Sequence, residues 1–554
     1  MTRRAFVLGS VPLIGAADPA PDPGFRLTDV TAQAGINFRH NSGAFGAKYL
    51  PETLGPGCAF LDYDCDGWLD ILLVNGAGWA GHKRERSTLR LYRNNRDGTF
   101  TDVTEHAGLA AEMYGMGVAV ADYNNDGFPD ILITAVGQNR LFQNTGRGTF
   151  VDVTEKSGLG GRSGFSTSAL WFDYDLDGLL DLFVCNYVRW SPAHDVFCSV
   201  DGKNKSYCTP EAYLGSTCWL FRNRGNGTFE DVTAKSGIFD TTSKSLGVAM
   251  LDYDHDGWPD LFVANDTQPN RLYRNQRDGT FEDVAVRAGV AFSEDGKARA
   301  GMGVDAADFD NSGVAGIAIT NFDDEMIALY RSQGRGAYQD AAIKTGVGQA
   351  SRKRLGFGCA FLDVNLDGHL DLAAVNGHID ETVRNIAGNH GYAEAPHLFL
   401  NDGKNGFQDV AARLGAGFAT PKVARGLAYG DFDRDGDLDL LLTTNQGPAY
   451  LYRNDLTSGN RSLRFRLQGT KSNRDAIGAM VKVTTPDGTQ SRMVKTGSSY
   501  LSQSELAVTF GLAKRDKADR VVIEWPSRQV QEFRNVNAGE YQCTEGRNAV
   551  RDAR

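Results

Sequence analysis

A nine-residue word that recurs seven times constrains this chain more than anything else in it. The first copy reads Asp62-Tyr63-Asp64-Cys65-Asp66-Gly67-Trp68-Leu69-Asp70. Carboxylates stand at positions 1, 3, 5 and 9, and the glycine at position 6 lets the chain turn sharply enough to gather them. With the backbone carbonyl of position 7, here Trp68, they supply an all-oxygen cage that suits calcium better than magnesium, which is smaller and keeps its waters. The next two copies carry Asp122, Asn124, Asp126, Phe128 and Asp130, then Asp173, Asp175, Asp177, Leu179 and Asp181. Three more carry Asp252, Asp254, Asp256, Trp258 and Asp260; Asp363, Asn365, Asp367, His369 and Asp371; and Asp431, Asp433, Asp435, Asp437 and Asp439. The remaining copy keeps Asp308, Asp310 and Ser312 but has Gly316 at position 9. It lacks the expected bidentate ligand, so that site is expected to be weak or empty.

An EF-hand needs a bidentate glutamate at position 12 between helices. Position 12 here reads Leu73, Ile133, Val184, Val263, Ile319, Ala374 and Leu442, all apolar, which excludes it. The wide spacing assigns one word to one large structural unit. Short apolar runs flank each word, as in Gly57–Leu61 and Ile71–Val74, and read as buried strands joined by the acidic loop. A second word follows each hairpin, first as Leu91 to Thr104, with Asp-Gly or a variant at its turn. Four strands per unit in tandem describe propeller blades. Phe25–Thr31 is a lone strand of the second-word type with no acidic word before it, and Asp431–Asn454 lacks such a strand after it. Joining the two closes a ring and removes free sheet edges, giving an expected seven-bladed β-propeller over 25–455.

The longest gap, from Asp173 to Asp252, holds an insertion at about 186–216 with Trp190, Pro192, Cys198, Cys208 and Pro210. Such insertions make binding surface, or here a disulfide-pinned flap. Cys198 and Cys208 are the expected disulfide; Cys185 with Cys218 would close the same insertion, and free buried thiols are the alternative. Cys58 and Cys359 read as small core residues. His378, His390 and His397 match no metal-ligand spacing. After Asn454 the pattern changes. Alternating strands such as Leu463–Leu467, Ala479–Thr484, Leu506–Phe510 and Arg520–Trp525 predict a small β-sandwich over 461–545, so the fold class is all-β throughout.

The chain has 554 residues and a net charge of −11, fewer negative charges than there are aspartates at ligand positions. The acidity is therefore local and meant for cations, and nothing argues for nucleic acid. Met1 to Ala17 reads as an export signal: Arg3 and Arg4 precede the apolar run Ala5–Ala16. Its start resembles a twin-arginine signal, with an ordinary secretory signal as the alternative. The expected location is extracytoplasmic, in the periplasm or secreted. No other stretch approaches the ~18 apolar residues of a transmembrane segment.

Residues 25–455 resemble FG-GAP (VCBS-type) repeats, the blades of integrin α-chain propellers. Residues 461–545 look like the ASPIC/UnbV domain, through Gly469, Ser472 to Ala479, Gly497, Tyr500-Leu501-Ser502-Gln503, Phe510-Gly511-Leu512 and Trp525-Pro526-Ser527. With Asn186 to Trp190 and Tyr207 to Pro210 in the insertion, the chain resembles bacterial members of the cartilage acidic protein family. The resemblance implies an exported, calcium-loaded propeller. No nucleophile elbow, zincin motif or P-loop is present. The expected role is adhesion-like binding of an unidentified protein or glycan. The alternative is a calcium-dependent enzyme, of secondary metabolism or another extracytoplasmic pathway, with its active site on the propeller axis.

Overall fold

The computed structural model describes residues 22–82, 86–383, 391–404, 406–547 and 551–552. The proposed export signal and His390 lie outside them. Strands dominate, and helix is confined to short pieces such as Ala285–Ala288 and Val347–Ser351.

Each acidic word is the turn between two antiparallel strands, and its ninth residue opens the second strand. Cys58–Leu61 is followed by Asp70–Leu73, Gly115–Ala121 by Asp130–Gly137, and Ser245–Leu251 by Asp260–Asn265. Two shorter strands complete each set, as Arg90–Asn94 and Phe100–Asp102 do in the first. The first strands are buried along nearly their whole length because neighbouring sheets pack on both faces, which explains their runs of apolar residues without alternation.

Among the described residues, seven such four-stranded sets are present. Two of them, at Asp130–Gly137 and Gly164–Phe172, also pair edge to edge through Gly164 with Gly137 and Phe165 with Val136. Their first strands neighbour one another in a closed cycle. The cycle is closed by hydrogen-bonded strands from the two ends of the repeat region. Phe25–Asp29 pairs with Tyr450–Leu456, in register from Phe25 opposite Leu456 to Asp29 opposite Tyr452. The last sheet thus takes its outer strand from the beginning of the chain. Adjacent first strands approach so closely that some positions admit no side chain: a Cβ on Gly303 would lie 2.1 Å from the Phe357 carbonyl oxygen.

The C-terminal part is a sandwich of two four-stranded sheets, one holding Ser462–Gln468 and Gly539–Thr544, the other Met480–Thr485 and Lys517–Glu524. Leu463, Phe465, Val481, Val483, Val521 and Ile523 form its core. Between Gly488–Met493 and Val508–Gly511 the chain leaves this sandwich and enters the centre of the ring. A first strand has one unpaired edge, so every sheet presents backbone N–H and C=O groups to the axis, and these need partners. The segment supplies many of them. Leu501 O accepts from Val118 N (3.1 Å), Ser499 O from Val304 N (2.9 Å), and Ser498 N donates to Val248 O (3.1 Å). Gln503 N donates to Cys58 O (2.9 Å), Gln503 Oε1 accepts from Val120 N (2.8 Å), and Thr496 Oγ1 accepts from Trp171 N (2.9 Å). Glu505 N donates to Tyr429 O (3.1 Å), and the fully buried Tyr500 ring meets Phe357 edge-on at 5.0 Å. Six of the seven first strands are thus hydrogen-bonded by one segment, and the seventh is touched by Tyr500. The segment crosses the axis, and an open cavity lies beside it, lined by first-strand residues such as Ala306, Phe361 and Tyr429 and by Ser498 and Ser504 of the segment itself.

Candidate metal centres

The seven loops share one backbone conformation. Position 4 is a non-glycine residue in the left-handed region throughout, from Asn311 at φ 53° to Arg434 at 59°. The glycine at position 6 lies further into positive φ, from 78° at Gly257 to 99° at Gly436, where a side chain would be strained. This curl turns successive N–H groups onto the first aspartate. Asp62 Oδ1 accepts from Asp66 N and Oδ2 from Gly67 N, both at 2.9 Å. The same pair of bonds recurs at Asp122, Asp173, Asp252, Asp363 and Asp431. The position-7 N–H donates to position 5 in each full copy, at Trp68, Phe128, Leu179, Trp258, His369 and Asp437.

Position 3 carries the signature of a missing partner. Asp175 gives Oδ2 to Arg222 and Asp254 gives Oδ2 to Arg274, both at 2.7 Å. The other oxygen of each is buried and has no hydrogen-bond partner, and the same holds for Oδ1 of Asp64 and Asp433. Four groups bring three ligand oxygens within 4.8 Å of one another: Asp62, Asp64 and Asp66; Asp173, Asp175 and Asp181; Asp252, Asp254 and Asp260; Asp431, Asp433 and Asp439. Orphaned buried oxygens facing a cluster of carboxylates fit a hard cation. Where position 3 is asparagine the arrangement differs from the expected ligand set. Asn124 and Asn365 point Nδ2 at the carboxylates of Asp126 and Asp367 (2.9 and 3.0 Å), and their oxygens accept the N–H of those same residues.

Burial dominates the electrostatics of the cation-free loops. It pushes Asp62 up to about 6, Asp173 to about 7, Asp70 and Asp260 to about 8 and Asp130 to about 9. Asp181, Asp371 and Asp439 are also raised, by burial first and neighbouring aspartates after it. A bound cation would reverse that cost.

The eroded loop shows why its ninth position is no ligand. Asp308 still accepts from Gly313 N at 3.0 Å, and Asp310 meets Arg331 at 3.0 Å. A Cβ on Gly316, however, would lie 2.3 Å from the Phe309 ring. The aromatic ring fills the place of the carboxylate.

The loops are also tied to one another, through asparagines whose role the sequence reading missed. Asn94, at the end of the third strand, donates its backbone N–H to Asp70 (2.8 Å) and Nδ2 to Leu69 O (3.0 Å) within its own sheet. It then reaches across to Phe432 O, at position 2 of the preceding loop in the ring (2.9 Å). Asn144 reaches Tyr63 O, Asn223 reaches Tyr123 O, Asn275 reaches Tyr174 O, Asn401 reaches Phe309 O and Asn454 reaches Val364 O. The eroded unit has Ser332 instead, where no ninth aspartate needs an N–H. The visible signal was the asparagine three residues after the leucine, itself followed by Tyr or Phe, that opens the second word, as in Leu91-Tyr92-Arg93-Asn94 and Leu141-Phe142-Gln143-Asn144. Replacing Asn223 with alanine strips donors from two buried carbonyls, and should cost about 2–3 kcal/mol in a chemical denaturation experiment. Loss of less than about 0.5 kcal/mol would show the cross-sheet bonds to be idle.

The sandwich sits on this loop face. Asp475 accepts from Asp122 N (2.7 Å), Gly511 N donates to Asp363 (3.1 Å), and Arg466 donates to Gly67 O (3.2 Å). Buried Arg464 lies against Asp431 at 3.3 Å and Glu505 at 2.9 Å. A cleft of ≈450 Å³ remains between ring and sandwich beside Trp258, Met480 and Met493. Its lysines are engaged, Lys482 with Glu524 and Lys495 with Asp305. Of the histidines, His397 bonds Asp409 (2.6 Å) and His378 accepts from Asp380 N (3.0 Å).

Comparison with known proteins agrees with this architecture. Residues 62–133, 132–184, 195–263 and 252–319 match the FG-GAP-like repeat, and residues 469–549 match the ASPIC and UnbV family. The chain is therefore an FG-GAP-like repeat protein with a C-terminal ASPIC and UnbV domain. It is a homologue of cartilage acidic protein 1. It is 27% identical to the human protein over 523 residues, which is 88% of this chain and 71% of that one. It is 27% identical to the mouse protein over 509 residues, covering 86% and 71%. Among solved structures, the BP39L lectin of Burkholderia pseudomallei aligns with a TM-score of 0.42 at 10% identity, over 74% of this chain and 98% of that one. An Agrocybe aegerita lectin that recognises terminal N-acetylglucosamine aligns with a TM-score of 0.41 at 14% identity, over 70% and 88%. Among the described residues no helix is long and apolar enough to cross a membrane.

Proposed function

We propose that this is an exported, calcium-loaded binding protein whose recognition surface includes the 186–216 insertion. The observation that carries the metal assignment is the set of orphaned, buried position-3 oxygens. Calcium would be held by positions 1, 3, 5 and 9 and the position-7 carbonyl of six loops, with the side-chain amides of Asn124 and Asn365 turned to present oxygen in two of them and the loop at Asp308 weak or empty. The insertion leaves the second strand at the end away from the acidic loop, so it lies on the face opposite the sandwich. It is crosslinked by Cys198–Cys208, braced internally by Trp190 Nε1 donating to Asp195 (3.0 Å), and anchored by Tyr187 to Asp266 (2.5 Å) and Tyr207 to Glu52 (3.1 Å). Its outward residues include three large apolar side chains, Phe197 at 65% exposure, Val200 at 65% and Leu214 at 71%, among exposed polar residues such as Asp201, Lys203 and Glu211. A rigid base with exposed apolar side chains is the anatomy of an interaction surface.

Calorimetric titration of EGTA-treated protein with calcium chloride should give six sites, and Asp175→Asn should remove one. Absence of binding at millimolar calcium would sink the metal assignment. Arrays of glycans and extracellular proteins should yield a ligand whose capture is lost in Phe197→Ser/Val200→Ser. Thermal stability should stay within about 0.5 kcal/mol, because surface changes away from packed groups cost little. Capture unaffected by that variant would move the recognition surface elsewhere.

A further inference from the structure

Cys185 and Cys218 take part in neither the metal loops nor the axial segment. Cys185 ends the apolar part of the second strand in the third sheet, and Cys218 precedes the third strand, Trp219–Asn223. The two strands run antiparallel with Val184 opposite Trp219. The pairing continues outward into the insertion: Asn186 Nδ2 donates to Thr217 O (2.9 Å), and Val188 bridges Gly215. In that register Cys185 and Cys218 are direct cross-strand neighbours, at the two feet of the insertion. Cys185 Sγ donates to Gly247 O (3.9 Å). Cys218 Sγ donates to Ser245 Oγ (3.2 Å), which donates to Asn265 Oδ1 (2.8 Å). Both are thiols in the structure and both are buried, at 0% and 3% exposure.

We infer that Cys185 and Cys218 form a second, chain-closing disulfide that staples the base of the insertion. Directly opposed residues of an antiparallel pair lie about 4.5–5.5 Å apart at Cα, inside the range a disulfide spans. The chemistry is thiol–disulfide exchange with an external disulfide, such as oxidised glutathione or an oxidoreductase. The Cys218 thiolate attacks one sulfur of the oxidant, forming a mixed disulfide and releasing one thiolate. Deprotonated Cys185 then attacks the Cys218 sulfur and displaces the second. Two S–H bonds are exchanged for one S–S bond, and the oxidant leaves as two thiols. Because both sulfurs are covered in the folded chain, the bond forms before the insertion packs or when it opens.

The inference is independent of calcium. Protein refolded in a mixture of reduced and oxidised glutathione is denatured without reductant, alkylated, and analysed by mass. Four labelled cysteines are expected, Cys58, Cys65, Cys359 and Cys543, together with a crosslinked peptide joining Cys185 to Cys218. Six labelled cysteines, or glutathione retained on Cys218 alone, would overturn the proposal. In a Cys198→Ser/Cys208→Ser background, reductant should lower the thermal midpoint by about 3–5 °C. Adding Cys185→Ser/Cys218→Ser should abolish that shift. A shift that persists counts against the staple, and if the background variant fails to fold the mass measurement decides alone.

Discussion

Stripping divalent cations with EGTA will lower the thermal midpoint by on the order of 10 °C at pH 8, and by much less at pH 5. At a calcium concentration ten times the dissociation constant, each site adds about 1.4 kcal/mol, so six sites add about 8 kcal/mol. The pH dependence follows from the loops themselves. In the unfolded chain an aspartate titrates near 3.9. In the cation-free fold, burial pushes Asp70 and Asp260 to about 8 and Asp130 to about 9. Between those values the folded state holds protons that the unfolded state has released. Stability of the chelated protein is therefore fully present below pH 4 as far as these groups are concerned, and is lost as pH rises through 8. Calcium requires the ionised carboxylates, so its contribution grows over the same window. Melting curves with and without EGTA that coincide at pH 8 would remove the ions from the account of stability. Because the sandwich rests on the loops through Asp122, Asp363 and Asp431, chelation should also expose new protease sites in the 454–461 linker.

Disturbing the axial segment will also be strongly destabilising. Tyr500→Ala removes a fully buried ring, and its hydroxyl bond to Leu54 O (2.9 Å), from the centre of the ring. Truncations of large buried aromatic side chains cost about 3–5 kcal/mol. Gly57→Ala attacks the same contact from the other side. Its Cβ would lie 1.9 Å from the Leu501 carbonyl oxygen and 2.7 Å from the carbon, both backbone atoms that a rotamer change cannot move. Both variants should lose about 3 kcal/mol or more in denaturant titrations. Both should also become cleavable within 494–507, a stretch that is protected in the native protein. If Gly57→Ala melts within a degree of the parent and the segment stays protected, the segment does not hold the ring together.

The acidic loops were legible because their ligands are local. Nine consecutive residues carry the carboxylates and the glycine, and the curl at Cys65 and Gly67 needs nothing from elsewhere in the chain. Ring closure was legible too, since Phe25–Asp29 and Tyr450–Leu456 are complementary fragments of one repeated unit. The family resemblance flagged Tyr500 to Gln503 but gave those residues no role. Local preference there even points the wrong way: Ser498, Ser499 and Leu501 lie at φ 65°, 58° and 57°, where non-glycine residues are strained. Contacts made by the closed ring impose that conformation. The cross-sheet reach of Asn94 and its counterparts was hidden for a related reason. Their acceptors belong to the preceding unit, and no pattern within one repeat names them.

The sequence by itself determined an all-β chain of repeated acidic hairpins, each able to gather carboxylate oxygens around a cation, because that information is short-range and periodic. Tertiary structure alone decided what fills the axis, which asparagine latches which loop, and why Gly316 cannot be a ligand. Those outcomes depend on backbone edges and ring faces that come into contact only once the two ends of the propeller have met.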